Sequence, residues 1–157
     1  MTYYKDFTVC TYFDASEWLC RLIAVGWLEQ GKPYPKGSTD SRVADRIHLL
    51  RDEFQEAFPS RSFRGLHDCY LCSAIHAGRA TLDHSHINLF IPHRGFVFVA
   101  PACVDHYIEA HQYLPPESFV DALMTCPSPL DAEYRDAIRA SNRGFDAPLF
   151  NENSSVA

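Results

Sequence analysis

The sequence predicts an α+β fold, a mainly helical single domain with a small β-hairpin and a zinc site. An apolar stripe with helical spacing runs through residues 40–57, and two strand-like runs flank a turn-like segment at 92–95. A Cys-x-x-Cys pair, Cys69 and Cys72, lies between these features, and a helical segment with two histidines follows the second run. Hydrophobic residues make up 46% of the chain and aromatic residues 13%, which is enough apolar material for a packed core.

The length of 157 residues is typical of one domain. We expect a single α+β domain over residues 1–145, with a zinc-binding unit at about 63–113. The C-terminal residues 146–157 are expected to form a flexible tail.

The N-terminal part is expected to contain a strand-like segment and then a helix over residues 14–26. Asp14 is a suitable N-cap residue. The apolar residues Trp18, Leu22 and Val25 recur at helical spacing and would form its buried face.

The second predicted helix, over residues 40–57, has the clearest pattern in the chain. Pro59 follows it and would end it. His48 lies off the apolar stripe and is expected to be solvated. The stripe itself is long and continuous, and we expect it to face the core. Its members are Val43, Ile47, Leu50, Phe54 and Phe58.

A β-hairpin is predicted for residues 84–99, and three helices follow it. The two runs 84–91 and 96–99 are rich in β-branched and aromatic residues. The first helix should begin at Pro101 and reach Gln112, since proline suits the first helical turn. A short helix should begin at Pro115-Pro116-Glu117, and a last one should run from about Ser128 to Ala140.

The Cys-x-x-Cys pair is the strongest candidate metal site. Zinc takes four thiolate or imidazole ligands in a tetrahedron, and a Cys-x-x-Cys turn supplies two of them. His106 and His111 have four residues between them, within the spacing of zinc-finger histidine pairs. On an ideal helix five steps rotate about 140°, so either the helix end is distorted near His111 or one histidine does not bind.

Other residues compete for the remaining positions. His67 lies two residues before Cys69 and ranks level with His111, below His106. Cys103 is a further candidate. His84 and His86 alternate on one strand face, where a solvated edge is the favoured interpretation.

Two alternatives to a structural zinc site stay open. The pair could be inert or redox-active, although a redox pair typically follows a strand in a βαβ pattern. A catalytic metal would leave one position open for water beside an acid/base group. Glu109 could be that group, but the spacing matches neither the metalloprotease nor the zinc-deaminase motif, and a solvated Glu109 is favoured.

Charge and compartment restrict the classes of partner. Residues 1–66 hold nine basic and nine acidic side chains, whereas residues 67–157 hold five basic and eleven acidic ones, so the net charge of −6 belongs to the second half. A phosphate-binding surface needs clustered lysine and arginine, so nucleic acid is disfavoured as a partner. No apolar run has a membrane-spanning length or resembles a secretory signal, so we expect a cytoplasmic protein with reduced cysteines.

Two segments resemble an uncharacterised family of small bacterial proteins. One is the pattern Phe-x-Gly-x-His-x-Cys-x-x-Cys that ends at Cys72, and the other is Ala-Pro-x4-His-Tyr-x3-His-x-Tyr-x-Pro-Pro, which begins at Ala100. The likeness covers most of residues 25–123 and implies that the cysteine and histidine groups belong to one unit. The order of Cys turn, hairpin and helix is also similar to treble-clef zinc folds.

We therefore expect a zinc-stabilised module that acts by binding another protein. The rival function is a metal-dependent hydrolase with an open zinc position near Cys69, Cys72 and His106. A nucleic-acid-binding zinc finger is the third and least favoured function.

Overall fold

The computed structural model describes residues 2–13, 17–61, 67–75, 80–82 and 86–151, with the backbone alone at 60, 67–68, 73–75 and 80–82. The described residues form an α+β fold, as predicted, with five α-helices and a three-stranded mixed sheet. Two short 3₁₀ helices, Pro59–Arg61 and Pro148–Phe150, complete the helical elements. The elements in chain order are β1 Arg21–Ala24, α1 Ser41–Ala57, β2 His67–Cys69, α2 Tyr70–Ile75, β3 Ala80–Leu82, β4 Asn88–His93, β5 Phe96–Pro101, α3 Val104–His111, α4 Glu117–Thr125 and α5 Ala132–Ser141.

The predicted hairpin is confirmed as β4 and β5. The two strands pair antiparallel, with Phe90 opposite Val99. Gly95, in the turn, has a φ of 77°, which a residue without a Cβ adopts without strain. The first strand-like run begins at Asn88 rather than at residue 84, and residues 83–85 lie outside the described part of the chain.

The helix predicted over residues 14–26 is wrong, because the chain forms strand β1 there. β1 pairs in parallel with β5, with Arg21 opposite Phe96, so the sheet order is β1-β5-β4. Leu22, Ile23 and Ala24 are all buried, which fits a strand covered on both faces rather than an amphipathic helix. The proposed N-cap Asp14 lies outside the described residues.

The N-terminal segment covers the outer edge of β1. Cys10 N–H donates to the Leu22 carbonyl at 2.8 Å, and Ala24 N–H donates to the Thr8 carbonyl at 2.9 Å. The strand expected here is reduced to a single antiparallel bridge at Val9. These bonds satisfy backbone groups that an open sheet edge would leave exposed.

Helix α1 agrees with its prediction at both ends. The Asp40 carboxylate accepts a hydrogen bond from Arg42 N–H at 2.9 Å and so caps the first turn. The predicted stripe is buried from Val43 to Phe54, and Phe58 packs beside it, half-buried. Together with α4 and α5, α1 lies against β4, and this places the core between the helices and the sheet.

The three C-terminal helices exist, with shifted starts. Helix α3 begins at Val104, because Pro101 is the last residue of β5. Helix α4 begins at Glu117, after the proline pair, and α5 begins at Ala132 with Asp131 in the N-cap position.

The segment around the cysteines holds elements that the sequence did not predict. β2 and β3 form a two-stranded antiparallel ladder, with His67 opposite Leu82, and α2 lies between them in the chain. No helix formed by the described residues combines the length and the low charge that a bilayer crossing requires.

Candidate metal centre

The two cysteines lie where a strand turns into a helix. Cys69 is the last residue of β2, and Cys72 lies in the first turn of α2. Cys69 is 1% exposed and Cys72 is 8% exposed, so both sulfur-bearing side chains are withdrawn from water. The pair thus follows a strand, but β2 and β3 are antiparallel and do not form the βαβ unit in which a redox pair typically lies.

Helix α3 supplies both histidines, and its last turn is wider than an α-helical turn. Gln112 N–H donates to the carbonyl of Tyr107, five residues back, and Gln112 adopts a left-handed φ of 57°. An α-helical bond spans four residues, so this end is π-like. The predicted distortion near His111 is present, and the rings of His106 and His111 lie 5.1 Å apart rather than diverging.

The helix start also matters for the geometry. Because α3 begins at Val104, His106 lies in its first turn.

Four donor atoms converge in one small volume. The ligand atoms of Cys69, Cys72, His106 and His111 all lie within 4.8 Å of one another. The Cys72 Sγ is 3.3 Å from the Nε2 of both histidines, and the Cys69 Sγ is 3.3 Å from the Nε2 of His111. Zinc–sulfur and zinc–nitrogen bond lengths of about 2.3 and 2.05 Å give a sulfur–nitrogen edge of about 3.5 Å in a tetrahedron. The cluster could therefore hold a metal ion.

The electrostatics of the cluster reflect the contact between thiol and imidazole. A hydrogen bond with Cys69 raises the pKa of His106 above its ordinary value, while partial burial opposes the shift. A metal needs the thiolate and the neutral imidazole. A metal that binds here would therefore displace protons from the donors.

The other candidate ligands lie outside this group of four. The side chain of His67 and all of His84 lie outside the described part of the chain. His86 does not join the group. Cys103 is 1% exposed and is not part of the group of four, and burial raises the pKa of its thiol to about 12.

Glu109, the candidate acid/base group of a catalytic metal site, is exposed on α3. It is not part of the four-donor group. This position agrees with the favoured interpretation of Glu109 as a solvated helix residue.

A buried carboxylate next to the site was not anticipated. Asp105 is 7% exposed. Its Oδ2 accepts from Arg51 Nη1 at 2.7 Å and lies 2.7 Å from His48 Nε2, and its Oδ1 accepts from His106 N–H at 2.8 Å. His48 was expected to be solvated, whereas it contacts this carboxylate. Asp105 thus links α3 to α1 through its ion pair with Arg51. The sequence indicated a role for Asp105 only by its position directly before the candidate ligand His106.

The fold and the site define an α+β domain with a buried Cys₂His₂ donor cluster. The chain belongs to a family described as a domain of unknown function, DUF7919, whose model matches residues 2–124. The match includes all four donors and β1 to α4 almost completely, and it leaves α5 outside. No curated protein and no solved structure matches the chain.

Proposed function

We propose that Cys69, Cys72, His106 and His111 bind one zinc ion that holds this domain together, and that the domain acts by binding another protein. The observation that carries the metal proposal is the convergence of two sulfur and two nitrogen atoms within 4.8 Å. A tetrahedral set of two thiolates and two imidazoles is the donor combination that favours zinc.

The completeness of the donor set supports a structural ion. Four protein ligands fill a tetrahedron and leave no position for a reactive water. The nearest carboxylate described beside the site, that of Asp105, is held by Arg51 and His48. The exposed Glu109 is not part of the donor group either. Both points speak against the rival hydrolase.

The position of the ion in the fold explains what it would stabilise. Cys69 and Cys72 belong to a short two-stranded unit, and His106 and His111 belong to a helix that packs on α1. Structural zinc contributes about 10–16 kcal/mol of apparent binding free energy, which is comparable with the ~5–15 kcal/mol that stabilises a whole domain.

The protein-binding role is proposed because a fully ligated ion and an acidic charge balance support neither catalysis nor nucleic-acid binding. A buried, fully ligated ion carries out no chemistry, and the acidic balance of residues 67–157 disfavours nucleic acid. Several large apolar side chains are nevertheless exposed, including Phe7 at 55% and Leu114 at 39%. Phe7 and Leu114 line one groove, and a contiguous exposed apolar patch of this kind is typical of contact sites for other proteins.

The first experiment measures the metal content of chain purified without chelator. We expect about one zinc per chain, lost in Cys69→Ser and Cys72→Ser, with a large drop in melting temperature. Cys20→Ser is the matched control, because Cys20 is a partly exposed thiol outside the donor group and should keep its zinc. A metal-free wild-type protein with variants that melt like it would refute the site.

A second measurement separates the structural site from the hydrolase. Cobalt substitution should give the visible spectrum of a tetrahedral ion with two sulfur ligands, unchanged by added azide. A spectrum that shifts with azide would mean an open position and would favour the hydrolase. For the binding role, zinc-loaded chain should form a stoichiometric complex with a purified partner taken from its native cells. If no such complex can be reconstituted, the protein-binding role is wrong.

A further inference from the structure

A groove of about 420 Å³ lies on the surface, and one of its walls includes Leu114, three residues after the candidate ligand His111. It runs between the N-terminal segment, the loop that follows β1 and the segment that joins α3 to α4. Its walls are mainly aromatic and aliphatic. We name it the tyrosine groove, and the residues used below are Tyr3, Tyr4, Phe7, Tyr34, Leu114 and Lys5.

The aromatic walls of the tyrosine groove are open to solvent. Tyr3, Tyr4 and Tyr34 are half-buried, so each presents part of its ring at the surface. Leu114 is 39% exposed beside them. Rigid tyrosine side chains lose little conformational entropy on binding, and aromatic-lined grooves commonly hold extended peptides.

Phe7 is held in an unfavourable conformation at the edge of the groove. Its φ is 67°, a left-handed value that bulky residues seldom adopt, and its side chain is 55% exposed. The bond from Phe7 N–H to the Ala24 carbonyl, at 3.0 Å, fixes the backbone there. An exposed aromatic ring that is kept at a backbone cost is typical of functional positions.

Three lysines lie at the groove, although the chain as a whole is acidic. The ammonium group of Lys32 lies 5.6 Å from the centre of the Tyr3 ring, and that of Lys36 lies 5.3 Å from the Tyr34 ring. Lys5 lines the groove itself. The chain as a whole carries a net charge of −6, so this cluster of positive charge is a local exception.

Two acidic residues, Asp6 and Glu117, also line the groove. Glu117 lines the groove at its α4 end. Asp6 is already engaged, because its two oxygens accept from Gly26 N–H and from the Tyr113 hydroxyl, each at 2.9 Å. The charge available to a partner at the rim is therefore positive, and a complementary partner is acidic.

We propose that the tyrosine groove binds an extended acidic peptide segment of a partner protein. The inference rests on the proposed protein-binding function and names both its surface and the chemistry of its partner. Apolar side chains of the segment would lie on the tyrosine rings, and its carboxylates would pair with Lys5, Lys32 and Lys36.

The test selects from a phage-displayed library of random twelve-residue peptides on the zinc-loaded full chain. We expect enrichment of peptides with several Asp and Glu residues around apolar positions. A Lys32→Glu/Lys36→Glu variant should bind the enriched acidic peptide at least about tenfold more weakly, as measured by fluorescence anisotropy. Raising the salt concentration should also weaken the binding.

The control variant is Arg21→Glu/Arg94→Glu. It reverses two exposed positive charges that do not line the groove, at the start of β1, where Arg21 lies opposite Phe96, and in the turn between β4 and β5. The change in net charge therefore equals that of Lys32→Glu/Lys36→Glu. It should bind the peptide like wild type. Equal weakening in both variants would mean that net charge, not the groove, attracts the peptide, and would overturn the proposal.

Three other results would also overturn it. The first is selection of basic or neutral peptides, and the second is selection of no peptide. The third is a dimer of the chain that the Lys32→Glu/Lys36→Glu variant disrupts and the control variant does not, which would mean that a second copy of the chain occupies the groove. The proposed function fails by a different result, the absence of any reconstituted complex. A partner complex that survives Lys32→Glu/Lys36→Glu would therefore leave the proposed function in place and refute the groove alone.

Discussion

Gly26 is the position where adding one methyl group should do most harm. It lies just after β1 with a φ of 74°, and a Cβ built there would be 2.5 Å from Cγ2 of Val104. Val104 is the first residue of α3 and is completely buried, so it has little room to move. We therefore expect Gly26→Ala to strain the junction between the sheet and the helix that carries His106 and His111.

The cost has two parts. Left-handed backbone costs a residue with a Cβ about 1–2 kcal/mol, and an extra methyl forced into a packed core costs about 1–3 kcal/mol. Their sum is about 2–5 kcal/mol, which at ~2–4 °C per kcal/mol lowers the melting temperature by roughly 4–20 °C.

Gly31→Ala separates the two parts experimentally. Gly31 has a φ of 82°, but a Cβ there would meet no atom within 4 Å. The variant should therefore show the backbone cost without the clash. Thermal and urea unfolding of both variants and wild type, with the zinc content held equal, give the comparison.

A double-mutant cycle with Val104→Ala completes the test. Shortening Val104 removes the atom that the new methyl would meet, so Gly26→Ala should cost about 1–3 kcal/mol less in that background. Equal costs for Gly26→Ala and Gly31→Ala, or a cost of Gly26→Ala that Val104→Ala leaves unchanged, would refute the reasoning.

Three further predictions concern buried polar groups. Burial raises the pKa of the Asp6 carboxyl in the folded protein above its ordinary value, so the protonated carboxyl stabilises the fold fully below the ordinary pKa, and this stabilisation is lost as the pH rises through the folded pKa. The free energy of unfolding of wild type relative to Asp6→Asn should therefore fall from about pH 4 upward. A difference between the two proteins that stays constant with pH would contradict this prediction. Tyr134→Phe removes the hydroxyl that donates to the Phe90 carbonyl at 2.7 Å in the core, and it should lower the free energy of unfolding in urea by about 1–2 kcal/mol; a neutral effect would mean that the carbonyl finds another donor. Asp105→Asn removes the charge that Arg51 faces inside the protein and should cost about 2–4 kcal/mol, whereas an unchanged midpoint would show that Arg51 reaches solvent.

The elements that the sequence predicted well are those defined by local pattern. The stripe of α1 lies within one continuous stretch, and so do the two runs of the β4–β5 hairpin. The four donors could also be nominated, because Cys-x-x-Cys and a spaced histidine pair are local motifs.

The elements that were missed depend on partners distant in the sequence. Leu22 and Val25 satisfy a helical spacing, yet β1 exists because β5 lies beside it. Proline at position 101 is compatible with a first helical turn, but it ends β5 opposite Asn88. Local propensity cannot decide between such alternatives, since the pairing strand lies elsewhere in the chain.

The site was predicted less completely than its four donors. Ideal helical geometry argued that His106 and His111 would diverge, and the wide turn that closes on Tyr107 brings them together. The ion pair of Asp105 with Arg51 joins two helices, so neither residue alone indicated that it would be buried.

The parallel pairing of β1 with β5 has a consequence for how the chain folds during synthesis. Each pair in this ladder joins residues 75 positions apart, as Arg21 and Phe96 do. On a ribosome, β1 must wait for β5 to emerge, while the apolar run from Leu22 to Leu28 is exposed. The β4–β5 hairpin and α3 close local contacts and can form quickly, so docking of β1 is the slow, non-local step. During that interval the nascent chain displays a strand without a partner, which is the stage at which it is most exposed to aggregation and to capture by chaperones.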